Sequence, residues 1–184
     1  TTSVNLAVAL AQKGLMVLLV DLDPQAHATL GLGHDPDAMD KTVYDALTNA
    51  QIPISRVIVS TDTKGLNIAP SNILLSGVEF ELASLYGREY VLSQQLASVG
   101  GNYDVCVIDC SPSLSLFTLN ALVASTDVLI PVQTHYYALE GLRQLLETVA
   151  IVKERFNNNL EILGVLLTFV ESRTTLSKQV QKQM

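Results

Sequence analysis

The sequence predicts an α/β protein: a doubly wound, mainly parallel sheet flanked by helices. Two runs of consecutive aliphatic or small apolar residues, Val17-Leu18-Leu19-Val20 and Val105-Cys106-Val107-Ile108, read as strands buried on both faces, the pattern of a parallel sheet covered by helices. Each run stops on carboxylates and then a proline, in Asp21-Leu22-Asp23-Pro24-Gln25 and Asp109-Cys110-Ser111-Pro112. Proline cannot continue such a strand and stiffens the turn after it. The remaining apolar runs alternate with segments of helical spacing, the order of a doubly wound sheet.

In chain order, Ser3 to Lys13 is a helix, with Val4, Leu6, Ala7, Ala9, Leu10 and Ala11 in it and Gly14 ending it. The first strand is Met16 to Asp21. Ala26 to Asp40, with Gly31, Gly33 and Pro36, reads as loop. Lys41 to Leu47 is a short helix and Ile52 to Val59 a weak edge segment. Leu66 to Ala69, closed by Pro70, is the second strand. Ser76 to Ser84 and Arg88 to Ser98 read as helices, the latter ended by Gly100-Gly101. Val105 to Asp109 is the third strand, Ser115 to Ala124 a helix and Asp127 to Val132 the fourth strand. Leu139 to Phe156 is a long helix with Leu142, Leu145, Leu146, Val149 and Val152 at helical spacing. Ile162 to Phe169 is the fifth strand and Thr175 to Met184 opens a further helix. No repeat, linker or low-complexity tract divides the chain, so residues 1–184 are expected to form one domain.

Composition narrows the function classes. At 184 residues and 48% hydrophobic the chain can bury one sizeable core. Its mean hydropathy of +0.33 is high, yet no apolar run reaches the ~18 residues that span a bilayer, and no stable membrane insertion is expected. Cys106 and Cys110 lie on one strand end, roughly 13 Å apart if extended, too far for a disulfide. A reduced, cytosolic protein with Cys106 as core filling follows. Residues 1–142 hold 5 Lys+Arg against 14 Asp+Glu and residues 143–184 hold 6 against 4. Lys153, Arg155, Arg173, Lys178 and Lys182 therefore read as solvated helix faces rather than a nucleic-acid patch. His27, His34 and His135 share no metal-ligand spacing and read as loop residues, and Tyr136-Tyr137 as packing at the core edge.

The two acidic strand ends are the candidate site. Both lie at the carboxyl edge of the sheet, where open α/β folds bind ligands. Two acids converging there suit a magnesium–phosphate ligand, one holding the ion or its waters and the other positioning an attacking water. The competing reading is that each acid caps the next helix. The chain also opens on Thr1-Thr2-Ser3, already entering a helix, as happens just after a phosphate-cradling glycine loop.

These residues resemble the ParA/Soj partitioning ATPases, relatives of MinD in the deviant-Walker P-loop group. Thr1-Thr2-Ser3-Val4-Asn5-Leu6-Ala7 resembles the segment after that family's K-G-G-x-G-K-T loop, and Val20-Asp21-Leu22-Asp23-Pro24-Gln25 its V-D-x-D-P-Q switch. Val107-Ile108-Asp109-Cys110 resembles the Walker B strand. Pro131-Val132-Gln133 with Tyr136-Tyr137-Ala138-Leu139-Glu140-Gly141-Leu142, and Gly164-Val165-Leu166-Leu167-Thr168 with Arg173-Thr174, match later blocks. The resemblance implies a P-loop NTPase-like nucleotide-binding domain with ATP and magnesium as cofactors. It implies Asp23 as the catalytic residue that positions water and Asp109 as the metal-shell acid. Thr1, Thr2, Asp21, Pro24 and Pro112 become nucleotide-binding positions, with Thr1 just after the magnesium-binding threonine and Asp21 shaping the switch. Ser111 departs from the proline usual there, which should loosen the turn after Asp109.

The function implied is an ATP-dependent chromosome or plasmid partitioning switch, cytoplasmic and nucleoid-associated. Such a protein forms an ATP-sandwich homodimer, binds DNA non-specifically, and hydrolyses ATP slowly under stimulation by a ParB-like partner. The alternatives are an ATP-dependent amidoligase of the dethiobiotin/cobyrinate type, a MinD-like membrane switch and a phospho-acceptor receiver domain. The last has no use for the Thr1-to-Leu6 helix start or the D-P-Q switch. The resemblance also implies that the phosphate loop precedes Thr1 and a C-terminal part follows Met184, so the 184 residues alone are expected to be inactive.

Overall fold

The computed structural model describes residues 1–113, 115–134 and 138–170, for residues 138 and 139 the backbone only. They fall into two compact units, Thr1–Ala124 and a second starting at Ser125. The first contains α1 (Thr2–Gln12), β1 (Val17–Leu22), α2 (His27–Gly31), α3 (Val43–Thr48), β2 (Val59–Ser60) and β3 (Leu66–Ala69). It continues with α4 (Val78–Leu82), α5 (Val91–Ala97), β4 (Val105–Cys110) and α6 (Leu116–Ala124). The strands lie in the order β2-β3-β1-β4. β1 is parallel to both β3 and β4, and the two-residue β2 runs antiparallel to β3.

β1 is buried along its whole length, as its unbroken aliphatic run requires of a central parallel strand. Its alternate side chains feed two cores. Leu18, Val20 and Leu22 join Val43, Ala46, Leu92, Phe117 and Ala121 on one side. Val17 and Leu19 join Ala7, Ala11, Ala28, Leu66 and Ile68 on the other. Helices on both faces of a mainly parallel sheet are the doubly wound architecture expected. The register of β1 on β4 is pinned at its start, where Met16 N–H donates to the Asp104 carboxylate (2.8 Å) and Met16 O accepts from Asp104 N–H (2.8 Å).

The second unit pairs β5 (Asp127–Gln133) in parallel with β6 (Glu161–Thr168), with α7 (Ala138–Arg155) as the crossover. Val149 and Val152, one helical turn apart, are buried with Ile130, Val132 and Leu160. Lys153 donates to Glu161 at 2.6 Å, tying α7 to β6.

Several expectations change in detail. Among the described residues the strands number six rather than five, in a four-stranded and a two-stranded sheet. The weak edge segment shrinks to β2. The stretch read as loop after Pro24 contains α2, too short to show a helical period. Cys106, expected as core filling, lies on β4 with part of its surface exposed, while burial of its thiol pushes it up to about 12. Both cysteines are free, as expected from their spacing. Tyr136-Tyr137, His135, Arg173-Thr174 and the helix expected from Thr175 lie outside the described residues.

The turn into β3 depends on Gly65. Its φ is +84°, a Cβ there would sit 3.0 Å from Leu15 O, and its own carbonyl accepts from Val17 N–H at 2.8 Å. Gly87 has a comparable φ of +75° with open space around it. Gly87→Ala should therefore cost about 1 kcal/mol, the left-handed penalty alone, whereas Gly65→Ala should cost roughly 2–3 kcal/mol because backbone must also move. Urea unfolding of the two variants checks this; equal losses would mean the Leu15 contact is not a constraint.

Candidate functional site

The site follows from how two periodicities meet. Val17 and Leu19 face α1, so the next side chain of that parity, Asp21, faces the same way. Asp21 is the register partner of Asp109 on β4, and partners on adjacent strands point to the same side. On α1, residues 3, 7 and 11 form one stripe at four-residue spacing. Ala7 and Ala11 are buried against the sheet, their small side chains letting the helix lie close. The same stripe carries Ser3 to the strand ends, where its hydroxyl donates to Asp109 Oδ1 at 2.5 Å. The N-terminal turn of α1 and the carboxylates of β1 and β4 thus share one edge of the sheet.

Asp21 is fully buried. Its Oδ1 accepts from Asp23 N–H (3.1 Å), and its Oδ2 accepts from Thr29 N–H (2.9 Å) and the Thr29 hydroxyl (2.8 Å). Burial raises its pKa above the ordinary aspartate value, the bonds from Thr29 and Asp23 work against that rise, and the charge of Asp109 adds to it. Thr29 Oγ1 in turn accepts from Ser71 N–H (3.0 Å) at the end of β3.

Asp23 is half-buried at the start of a tight turn. Ala26 N–H donates to its carbonyl (2.8 Å) and Gln25 N–H to its carboxylate (3.0 Å). Ala26 closes that turn in the left-handed region, φ +53°. Adjacent strands lie about 4.8 Å apart and two residues span at most about 7 Å, so the Cα atoms of Asp23 and Asp109 are no more than about 12 Å apart. Cys110 feels the whole cluster: burial first, and then Asp109, Asp21 and Asp23, push its thiol up to about 12. It therefore stays protonated and unreactive at neutral pH.

Pro24 is half-buried and lines a shallow cleft of about 290 Å³ with Gln25, Ala26, Leu30, Asp35 and Pro36. Pro112 is exposed in the turn between β4 and α6. There Ser111 and Ser113 share a hydroxyl hydrogen bond (2.8 Å), and Thr118 donates to Ser113 O (2.5 Å), so the serine standing where a proline is usual makes a local bond of its own. Glu79 of α4 accepts from Leu116 N–H (2.8 Å), capping α6 from a neighbouring helix. Thr1 is exposed at the head of α1, its carbonyl accepting from the Asn5 backbone (3.2 Å) and side chain (2.9 Å), and Thr2 is half-buried behind it.

The structure brings Asp21 and Asp109 into register beside α1, with Asp23 two residues beyond. Neither Asp21 nor Asp109 caps a helix in the simple sense weighed from the sequence, since Asp21 reaches eight residues ahead and Asp109 accepts from α1. Ser3 and Thr29 were missed as site residues. The spacing of Ser3 from Ala7 and Ala11 was a usable signal, whereas nothing near Thr29 marked it. Carboxylate and hydroxyl oxygens around one edge are the donor set that hard cations such as magnesium take. Among the described residues no helix is long and apolar enough to cross a membrane.

Residues 1–162 match the model of a family described as an AAA domain. Over all its residues the chain is 48% identical to the sporulation initiation inhibitor protein Soj of Bacillus subtilis strain 168, spanning 72% of that protein. It is 44% identical, again over its whole length, to the chromosome partitioning protein ParA of Myxococcus xanthus strain DK1622, spanning 65% of it. Among solved structures, cobyrinic acid a,c-diamide synthase from Mycobacterium smegmatis, with bound ADP and magnesium, superposes with a TM-score of 0.93. It is 43% identical, and the match covers 99% of this chain and 74% of that one. The fold is that of the P-loop NTPases, and the chain belongs to the Soj/ParA family of partitioning ATPases.

Proposed function

We propose that this chain is the nucleotide-binding core of an ATP-driven switch that partitions chromosomes or plasmids. In this reading, ATP with magnesium joins two copies into a sandwich dimer, the dimer holds DNA non-specifically at the nucleoid, and a ParB-like partner stimulates slow hydrolysis. The observation that carries it is the Ser3–Asp109 hydrogen bond. It sets the N-terminal turn of an eleven-residue helix beside a strand-end carboxylate, and such a turn favours phosphate through its free N–H groups and dipole.

Each side chain then has a definite task. Thr1 and Thr2, at the head of α1, would meet the phosphates. Asp109 would hold the magnesium shell, with Ser3 fixing its carboxylate. Magnesium, when bound, would neutralise charge on the phosphates. Asp23 orients the attacking water, Asp21 holds the turn that carries it, and Pro24 and Pro112 stiffen the two loops. Phosphoryl transfer of this kind is mostly positioning and charge stabilisation, so few side chains need to be catalytic.

A second reading has one observation behind it: the M. smegmatis structure bears the name of an amide-forming synthase. Both readings use the same ATP site and differ in what receives the phosphoryl group, water or a substrate carboxylate. ATP consumption by the full-length protein that depends on an added carboxylate and ammonia donor, and not on DNA or a partner, would favour the synthase.

Two substitutions separate the carboxylates' roles. Asp23→Ala should leave ATP affinity nearly intact and lower kcat by about 10²–10⁴-fold, the range for a positioned group acting on the reacting water. Parallel loss of affinity and turnover would make Asp23 structural. Asp109→Ala should weaken ATP binding about 10–100-fold in magnesium and leave binding in EDTA unchanged. Equal weakening in both conditions would contradict its metal role. Titration with a fluorescent ATP analogue reads both.

A further inference from the structure

We propose that Thr29 is a positioning residue for Asp23, acting through Asp21; this rests on the reading of Asp23 as the residue that orients the attacking water. The segment from Asp23 to Thr29 is tied at both ends to one buried carboxylate. Asp21 Oδ1 takes the N–H of Asp23 at 3.1 Å, and Oδ2 takes the N–H and hydroxyl of Thr29 at 2.9 and 2.8 Å.

The hydroxyl has a single proton, and its direction is fixed. Thr29 Oγ1 accepts from Ser71 N–H at 3.0 Å, so its own proton goes to Asp21. A one-way chain therefore runs from the backbone at the end of β3, through Thr29, to Asp21 and the amide of Asp23. Thr29, Asp21 and Ser71 are all fully buried, where such bonds are least diluted by water. Ser71 contributes only its N–H; its hydroxyl has no partner among the described residues.

Between the tied ends lies Ala26 at φ +53°. A non-glycine residue persists in that region only when its surroundings over-determine it. The turn it closes directs the Asp23 carboxylate, through the Ala26 N–H to Asp23 O and the Gln25 N–H to Asp23 Oδ1. Without the Thr29 hydroxyl, the far end of the segment is held by a single N–H and the buried Ser71 amide loses its acceptor. The turn can then relax and Asp23 loses its aim. The head of α1 and its bond to Asp109 stand outside this chain of bonds, so nucleotide affinity should survive.

The test uses the full-length protein with Thr29→Val, Thr29→Ala and Thr29→Ser, measuring kcat and ATP–magnesium affinity for each. Val and Ala should lower kcat by about 10–100-fold, the loss expected from misplacing a reacting group by about 1 Å, with affinity little changed. Ser keeps the hydroxyl and should restore turnover. An unchanged kcat in folded Val and Ala variants overturns the proposal, as does parallel loss of affinity and kcat. Amide exchange in the wild-type protein tests it even where no variant folds: the amides of Asp23, Thr29 and Ser71 should open together, and an Asp23 amide exchanging far faster than that of Ser71 contradicts the linkage. A wild-type protein that binds ATP without turning it over would instead remove the functional reading beneath it.

Discussion

The candidate site depends on a match between two periods. β1 sends alternate side chains to opposite faces, and α1 presents every fourth residue to one of them. Val17 and Leu19 meet Ala7 and Ala11, and the continuation of both rows beyond the apolar contacts brings Asp21, Asp109 and Ser3 to one edge. The packing that buries the α1 face of the sheet also places these polar ends. A slip of one residue in β1 would turn Asp21 into the opposite core and bring Leu22 under the head of α1. The Met16–Asp104 exchange of hydrogen bonds at the start of the pair guards against that slip.

Asp21 shows what such a site costs and how the fold offsets it. A buried carboxylate beside a second one is unfavourable unless its oxygens are fully used. Here three donors supply that use, and two of them belong to a residue eight positions on. The carboxylate thereby becomes the stake around which the loop after β1 is wound. The same bonds make a strained Ala26 tolerable in a segment that contains no glycine between Asp21 and Leu30.

Much of this was legible in the sequence and the remainder was hidden for physical reasons. Unbroken aliphatic runs marked β1 and β4, and proline marked their ends, so Asp21, Asp23 and Asp109 stood out at once. α2 did not, because five residues hold barely more than one turn and its start is set by Asp21 rather than by a local cap. Thr29 was unreadable for the same reason: its importance lies in partners 8 and 42 residues away. The edge segment near Val59 could be recognised as weak but not reduced to its two paired residues, since its pairing is decided by β3.

In the proposed function, the head of α1 and the carboxylate of Asp109 are two sides of one magnesium–nucleotide site. Crystals of the full-length protein grown with manganese and a non-hydrolysable ATP analogue test it directly, because manganese gives an anomalous signal that locates the ion without reference to the protein. A peak is expected within about 2–5 Å of the Asp109 carboxylate, direct or through one water, with phosphate oxygens against the first turn of α1. A peak out of reach of Asp109, or a triphosphate bound away from Thr1 and Thr2, would contradict it.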